Sequence, residues 1–183
     1  MNRNENTKNM IMNALLLGIG ALLHQITPAL GLPMQPDFAL AMLFIIMILN
    51  RGKYKTCLVA AIVTGLFTAM TTKFPGGQVP NMIDKLVTVN VVFLVMMIMN
   101  KINVIKSMTE SKRRTIESLV IFPIGTLVSG LTFLGSASLI VGLPAGFTSL
   151  FVAVVIPAIG LNLVGGMFLF KIISTSMKRA FAN

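Results

Sequence analysis

Four polar residues interrupt an apolar stretch at spacings that could build a site: Asn81, Asp84, Lys85 and Thr88. Steps of three or four residues place all of them on one face of an α-helix. Charged side chains in membrane helices usually face the bundle interior and mark function, because lipid exposure is costly. The stripe therefore favours a polar site. The alternative is an interfacial ion pair, with Lys85 reaching the headgroups and Asp84 in the first helical turn.

Polar residues on other segments could complete such a site. Asp37 follows Pro36 at the start of another apolar run, where capping of a helix is the favoured role for an acid. Asn162 follows Pro157, whose missing N–H frees a backbone carbonyl, so this segment could line a site or tie two helices together. His24, the single histidine, is predicted to be an interfacial or hydrogen-bonded residue.

The composition predicts a membrane protein. Of the 183 residues, 55% are hydrophobic and 11% are charged, whereas soluble domains carry about 25% charged residues. A membrane helix needs roughly 20 apolar residues, which leaves room for six helices and short connections in one integral domain, residues 1–183. We therefore predict an all-α, polytopic fold. The expected spans are about 9–26, 38–50, 56–72, 82–100, 116–136 and 147–170.

The basic residues predict the orientation of this bundle. All but two of the 15 lysines and arginines, Lys73 and Lys85, lie in the N-terminus, residues 51–55, a basic loop at about 101–115, and the tail from Lys171. Positively charged segments remain in the cytoplasm, so both termini are expected there. This distribution explains the net charge of +10 as membrane topology, and nucleic acid is not an expected partner.

The second predicted span is too short to cross the membrane alone. Its 13 residues extend about 20 Å, against a hydrocarbon core of about 30 Å. Proline and glycine concentrate in the predicted outer segments, and the residues before this span are Pro28, Gly31, Pro33 and Pro36. Irregular backbone at membrane depth is tolerated only beside protein or a wet cavity, so we expect an outward-facing substrate cavity.

The motifs of ATP-driven and hydrolytic enzymes are absent from the sequence. Gly52-Lys53 lacks the upstream glycine of a Walker motif, and neither H-E-x-x-H nor G-x-S-x-G occurs. We therefore predict that the chain is not an enzyme and carries neither a cofactor nor a metal. Uphill transport would need an ion gradient or ATPase subunits supplied by other chains.

Several outer motifs carry a family resemblance. They are Leu23-His-Gln-Ile26, Met34-Gln-Pro-Asp37, Phe74-Pro-Gly-Gly-Gln-Val-Pro-Asn-Met-Ile-Asp-Lys85, Val141-Gly-Leu-Pro-Ala-Gly146 and Val155-Ile-Pro-Ala-Ile-Gly-Leu-Asn162. Over nearly its full length the chain resembles the small bacterial tryptophan transport proteins. That family is similar to the substrate-binding S components of energy-coupling-factor (ECF) transporters, six-helix proteins of the bacterial cell membrane that pair with a transmembrane coupling subunit and two ATPases.

The resemblance implies tryptophan as the ligand and assigns provisional roles. Asp84 would bind the ammonium group, with Asp37 as the alternative, and Lys85 or loop amides would bind the carboxylate. The other candidate contacts are Phe74, Phe133 and Phe147 around the indole ring, Asn81 or Asn162 as acceptors of its N–H, and Gln78. The first helix of S components commonly meets the coupling subunit through an A-x-x-x-A pattern. Ala14-Leu-Leu-Leu-Gly18 is similar, with glycine in place of the second alanine.

Two other functions fit the same residues. One is a solitary or self-associating secondary transporter that couples amino-acid uptake to a proton gradient. The other is a membrane sensor or assembly factor that transports nothing. The leading prediction is an S component that captures tryptophan from outside and is powered by ATPase subunits in trans.

Overall fold

The structure is a computed structural model that describes residues 3–28, 35 and 37–180. Every regular element in these residues is helical, which confirms the all-α prediction. The helices are α1 Arg3–Ile26, α2 Phe38–Leu49, α3 Tyr54–Thr71, α4 Gln78–Met99, α5 Asn103–Lys106, α6 Glu110–Ile140, α7 Phe147–Leu150 and α8 Ile156–Ala180, with a π-helical turn Phe151–Val155 before α8. Five helical segments are long and apolar enough to cross a membrane, as expected for a multi-pass protein.

The helices extend beyond the predicted spans, mostly where polar residues continue a helical pattern. The predicted basic loop 101–115 contains α5 and the first turns of α6, which begins at Glu110. Here Arg114 Nε donates to Glu110 Oε1 at 2.8 Å, an i,i+4 pair that supports a helix. Helix α4 begins at Gln78, because Pro80 lies in the first turn, where proline is tolerated. The helix interruptions predicted at Gly31, Pro33 and Pro36 lie outside the described residues.

The short helix α2 forms the centre of the bundle. It packs against α1, α3, α6 and α8, and each residue from Ala39 to Ile48 is buried. A helix that is hydrophobic on every side is stable when other helices surround it completely. Its 12 residues span about 18 Å, so neighbouring helices extend beyond its start. The space above α2 is where the bundle can hold a cavity.

Polar contacts define the two ends of the bundle. Asn50, which follows α2, donates through Nδ2 to Asn13 Oδ1 of α1 at 2.9 Å. Arg51 Nη2 donates to the buried carboxylate of Glu117 at 2.5 Å, and Arg113 Nε lies 3.4 Å from the other oxygen of Glu117. We call this end, which also holds the first residues of α1 and the last of α8, the termini end. The opposite end, where α1 and α3 finish and α2 and α4 start, is the cavity end.

Close packing at the bundle centre depends on two glycines. Phe44 of α2 and Phe122 of α6 meet edge to face with ring centroids 5.9 Å apart. A Cβ atom on Gly125 would lie 2.3 Å from Phe44 Cζ, and one on Gly166 would lie 2.3 Å from Phe122 Cε1. These positions therefore leave room for aromatic rings that larger residues would displace.

We predict that Gly125→Ala lowers the stability of the folded protein by about 1 to 3 kcal/mol, because the added methyl group overlaps the Phe44 ring. The measurement is the apparent melting temperature of the purified protein in detergent. Gly135→Ala is the matched control, since a Cβ there meets nothing within 4 Å. Equal melting temperatures for Gly125→Ala and the wild type would contradict this packing.

Candidate substrate-binding site

A cavity of about 70 Å³ lies at the cavity end of the bundle, where five of the long helices meet the start of α2. This volume holds several water molecules but is well below the roughly 300 to 1,000 Å³ of sites for drug-sized ligands. A larger ligand therefore needs surrounding side chains to move. The lining combines charged, amide, hydroxyl and aromatic side chains.

An ion-paired group forms the floor of the cavity. Lys85 Nζ lies 2.6 Å from Asp37 Oδ2 and also donates to Asp84 Oδ2. Thr88 Oγ1 donates to the other oxygen of Asp84 at 2.9 Å. Lys85 and Asp84 are each 1% exposed. Lys85 therefore does not extend to the headgroups, and the polar stripe of α4 faces the bundle interior.

The local sequence explains why these groups meet. Asp37 is the N-cap of α2, and its Oδ1 accepts the Leu40 N–H at 3.0 Å while Oδ2 faces Lys85. The capping role expected for Asp37 and its role in the site therefore coexist. On the other side, Gly65 of α3 lets α4 approach closely, since a Cβ there would lie 3.1 Å from Met82 Sδ of α4.

The charges of this group do not balance. Asp37 and Asp84 supply two negative charges, and Lys85 supplies one positive charge. A second ammonium lies at the rim, where Lys73 lines the cavity and donates through Nζ to the Thr27 carbonyl at 2.5 Å. The floor can therefore accept one more cation, and Lys73 can receive an anion at the rim.

The opposite wall of the cavity is apolar. Phe74 and Phe133 meet edge to face with centroids 5.4 Å apart and ring planes at 86°. Val155 belongs to the π-helical turn, and it packs so closely on α6 that a Cβ on Gly130 would lie 2.5 Å from Val155 Cγ1. Such turns often mark functional sites in helices. The turn ends two residues before Pro157.

Asn162 contributes an acceptor that the described residues leave unused. Its Nδ2 donates to Thr126 Oγ1 at 3.1 Å, and its Oδ1 has no hydrogen-bond partner among the described residues. Asn162 is 1% exposed and lines the cavity. An unsatisfied buried acceptor costs roughly 1 to 3 kcal/mol, so a ligand that donates a hydrogen bond to this oxygen would be stabilised in the site.

A histidine cluster borders the cavity beside Asp37. Thr71 donates its hydroxyl to the Phe67 carbonyl at 2.7 Å, so it accepts from His24 Nδ1, which lies 2.7 Å away. Gln35 Nε2 lies 2.9 Å from both ring nitrogens of His24. His24 is 3% exposed, so its ring is hydrogen-bonded inside the protein rather than at the interface.

Most of the predicted site residues line this cavity: Asp37, Phe74, Asn81, Asp84, Lys85, Phe133 and Asn162. Gln78 and Phe147 do not. Gln78 is exposed in the first turn of α4, and Phe147 is 40% exposed at the start of α7. Sequence reasoning missed Gln35 and Gly130 as lining residues, and it treated Lys73 only as a topology marker. Among the described residues, no group of three or more His, Cys, Asp or Glu side chains could hold a metal ion.

Comparison with known proteins assigns the family. The family model described as "Tryptophan transporter TrpP" matches residues 6–178. The chain belongs to this family. A "Probable tryptophan transport protein" of Clostridium perfringens is 53% identical over 98% of both chains. Proteins of the same printed name from Clostridium acetobutylicum and Bacillus subtilis are 45% and 41% identical, over 96% and 95% of this chain and 97% and 95% of their own lengths.

No solved structure matches the chain. The family and the apolar helices identify a multi-pass membrane protein of tryptophan transport, as the sequence motifs indicated. The relatives are named as transport proteins, which agrees with the prediction that the chain is not an enzyme. The charged cavity is accordingly the candidate for substrate binding within a TrpP protein.

We predict that Lys85→Met destabilises the protein by about 3 to 5 kcal/mol, because it leaves the buried carboxylate of Asp84 and the half-buried carboxylate of Asp37 without their countercharge. Adding Asp84→Asn should restore part of the loss by removing one of those charges. The measurement is the apparent melting temperature in detergent. Lys55→Met, the same change at an exposed residue, is the control. If Lys85→Met and Lys55→Met melt alike, the buried ion-paired group is wrong.

Proposed function

We propose that the chain is the tryptophan-binding S component of an ECF-type transporter, with both termini in the cytoplasm and its cavity facing outward. It would capture external tryptophan, and a transmembrane coupling subunit with two ATPase subunits would drive release into the cell. The observation that carries the proposal is the Asp37–Lys85–Asp84 ion-paired group, with Lys85 and Asp84 buried, in a cavity that also presents an aromatic wall.

Ligand binding on this proposal is an exchange of ion pairs. The ligand ammonium pairs with one carboxylate, Asp84 or Asp37. The ligand carboxylate then pairs with the Lys85 ammonium in place of the side chain that has been released. Because the ligand brings one charge of each sign, the net charge of the site does not change, and every buried charge keeps a partner. This avoids the large cost of burying an uncompensated charge. Lys73 at the rim supports the same arrangement by attracting the ligand carboxylate.

The indole ring would occupy the apolar side of the cavity. Phe74 and Phe133 offer edges and faces for an aromatic ring, and Asn162 Oδ1 offers an acceptor for the indole N–H. Phe74 lies between α3 and α4, so it can move without displacing a helix. We therefore infer that Phe74 swings aside to enlarge the narrow cavity for tryptophan.

Helix α1 carries the proposed docking face. Ala14 is exposed, and a Cβ on Gly18 would meet nothing within 4 Å, so this face of α1 is not packed against the bundle itself. The small residues of α3 differ: Ala61 is buried, and a Cβ on Gly65 would lie 3.1 Å from Met82 Sδ on α4. The coupling subunit would pack on the Ala14 and Gly18 face, where small residues allow close approach.

One observation favours the proton-coupled alternative. His24 is a buried, titratable side chain in the wall of the cavity that also contains Asp37 and Asp84. Neutral imidazoles and carboxylates of this kind can relay protons in secondary transporters. The contacts of the His24 ring with Thr71 and Gln35 support a structural role instead.

Tryptophan binding can be measured directly, because the protein contains no tryptophan of its own and ligand indole fluorescence reports occupancy. We predict saturable binding that Asp84→Asn weakens by at least roughly tenfold through loss of a charged partner. Glu110→Gln, which removes a carboxylate at the termini end, should bind normally. If tryptophan does not bind the wild type, the ligand assignment fails.

Asn162→Leu should separate the indole contact from the charge contacts. We expect tryptophan affinity to fall roughly tenfold, equivalent to one hydrogen bond of about 1.4 kcal/mol, while phenylalanine affinity is unchanged. Competition titrations against the fluorescent ligand measure both constants. Equal losses for the two amino acids would show that Asn162 does not contact the indole N–H.

Uptake into proteoliposomes tests the energy source and the docking face. With the coupling and ATPase subunits present, uptake should require ATP and survive collapse of the pH gradient. Gly18→Leu should retain tryptophan binding and lose most of the coupled uptake, because the larger side chain blocks close approach. Gly160→Leu adds the same bulk at another open, exposed position and should transport normally. ATP-independent uptake driven by pH would favour the secondary transporter, and binding without uptake would favour a sensor.

A further inference from the structure

A second concave surface lies at the termini end, between the start of α6 and the last turns of α8. Its volume is about 730 Å³, much larger than that of the cavity at the other end. Two basic residues, Arg114 and Lys171, line it together with hydroxyl-bearing side chains such as Ser111 and Ser174. Met167, Phe168 and Phe170 supply its apolar surface. None of these residues belongs to the proposed tryptophan site.

The basic groups of this groove have unused hydrogen-bonding capacity. Arg114 Nε donates to Glu110 Oε1 at 2.8 Å, whereas its two terminal nitrogens make no hydrogen bond to the described residues. Lys171 is exposed and forms no ion pair with any described residue. Glu110 also lines the groove, but Arg51 lies 3.2 Å from the same carboxylate oxygen and compensates its charge. The groove therefore presents positive charge to an anion.

An apolar track leaves the groove along the lipid-facing side of α8. Phe168 lines the groove and is 66% exposed, and Val164 and Leu161 are exposed at steps of four and three residues toward the cavity end. These residues share one face of the helix. A basic pocket joined to an apolar helix face matches a molecule with an anionic head and a hydrocarbon tail better than it matches a free anion.

We propose that this groove binds one anionic phospholipid, with the phosphate beside Arg114 and Lys171 and an acyl chain along Phe168, Val164 and Leu161. Basic pockets between membrane helices hold anionic headgroups in this way, and the Ser111 hydroxyl can donate to a phosphate oxygen. The lipid would fill the groove between α6 and α8 and join the two helices at the termini end. This site is independent of the ligand that the other cavity binds.

Native mass spectrometry of the full-length protein in mild detergent tests the proposal. Phosphatidylglycerol and phosphatidylcholine with identical acyl chains are titrated separately. We expect one phosphatidylglycerol to bind in preference to phosphatidylcholine, and Arg114→Gln/Lys171→Gln to weaken its binding roughly 30-fold, about fivefold for each basic group. Lys101→Gln/Lys106→Gln removes the same charge from exposed residues outside the groove and should leave binding unchanged.

A single-residue variant and a soluble competitor complete the test. Lys171→Gln removes no ion pair, so it should fold normally and still lose roughly fivefold in affinity. Glycerol 3-phosphate should not displace the bound lipid, because it lacks the acyl chains. Equal binding of the two lipids, an equal loss in the control variant, or full displacement by glycerol 3-phosphate would overturn the proposal. Displacement of the lipid by a purified partner subunit would identify the groove as a protein interface instead.

Discussion

The burial of the Lys85 ammonium between Asp37 and Asp84 constrains how the helices assemble. In an apolar bundle each of these charges needs an opposite charge within contact distance, because an unpaired buried charge is far more costly than a buried pair. Asp37 caps α2, and Lys85 lies seven residues, or about 10 Å, into α4. The ion pair therefore sets the start of α2 well below the start of α4. That offset leaves room for the cavity.

The two ends of the bundle differ in how their charged side chains are paired. At the termini end, Glu117 is enclosed by Arg51 and Arg113, so a buried acid receives two basic partners from separate segments. This ion-pair network ties helices together, although Glu117 Oε1 and the Nε atoms of Arg51 and Arg113 make no hydrogen bond to the described residues. At the cavity end two carboxylates share one ammonium, and Asn162 keeps an acceptor without a partner among the described residues. These incompletely paired groups lie beside Phe74 and Phe133. Within the described part of the chain, these two residues are the only aromatic pair that lines the cavity. These features together fit a zwitterion with an aromatic side chain, which is the chemistry of the substrate named for the family.

Sequence periodicity was sufficient to predict the polar face of α4, because helical spacing alone determines which residues share a side. The short second span, predicted as 13 residues, indicated that it cannot cross a membrane alone, but its position at the centre of the bundle follows only from the contacts of α2 in the structure. Contacts between helices were harder to predict. Lys73 lies in the connection between α3 and α4, and Gln78 lies in the first turn of α4, yet only Lys73 lines the cavity, because tertiary packing decides which of these side chains faces it. The role of Gly130 follows from its contact with Val155, and no local pattern marks that contact.

Binding of two tryptophan analogues tests most directly whether the buried charges receive a zwitterion. Tryptamine keeps the indole and the ammonium but lacks the carboxylate, whereas indole-3-propionate keeps the carboxylate and lacks the ammonium. Indole-3-propionate adds a third negative charge to two carboxylates that share one ammonium, whereas tryptamine gives each carboxylate its own ammonium partner. We predict that indole-3-propionate binds the wild-type protein at least roughly a hundredfold more weakly than tryptophan, as expected for loss of a charged hydrogen bond in a buried site, and more weakly than tryptamine. Affinity of indole-3-propionate equal to that of tryptophan would contradict the exchange of ion pairs.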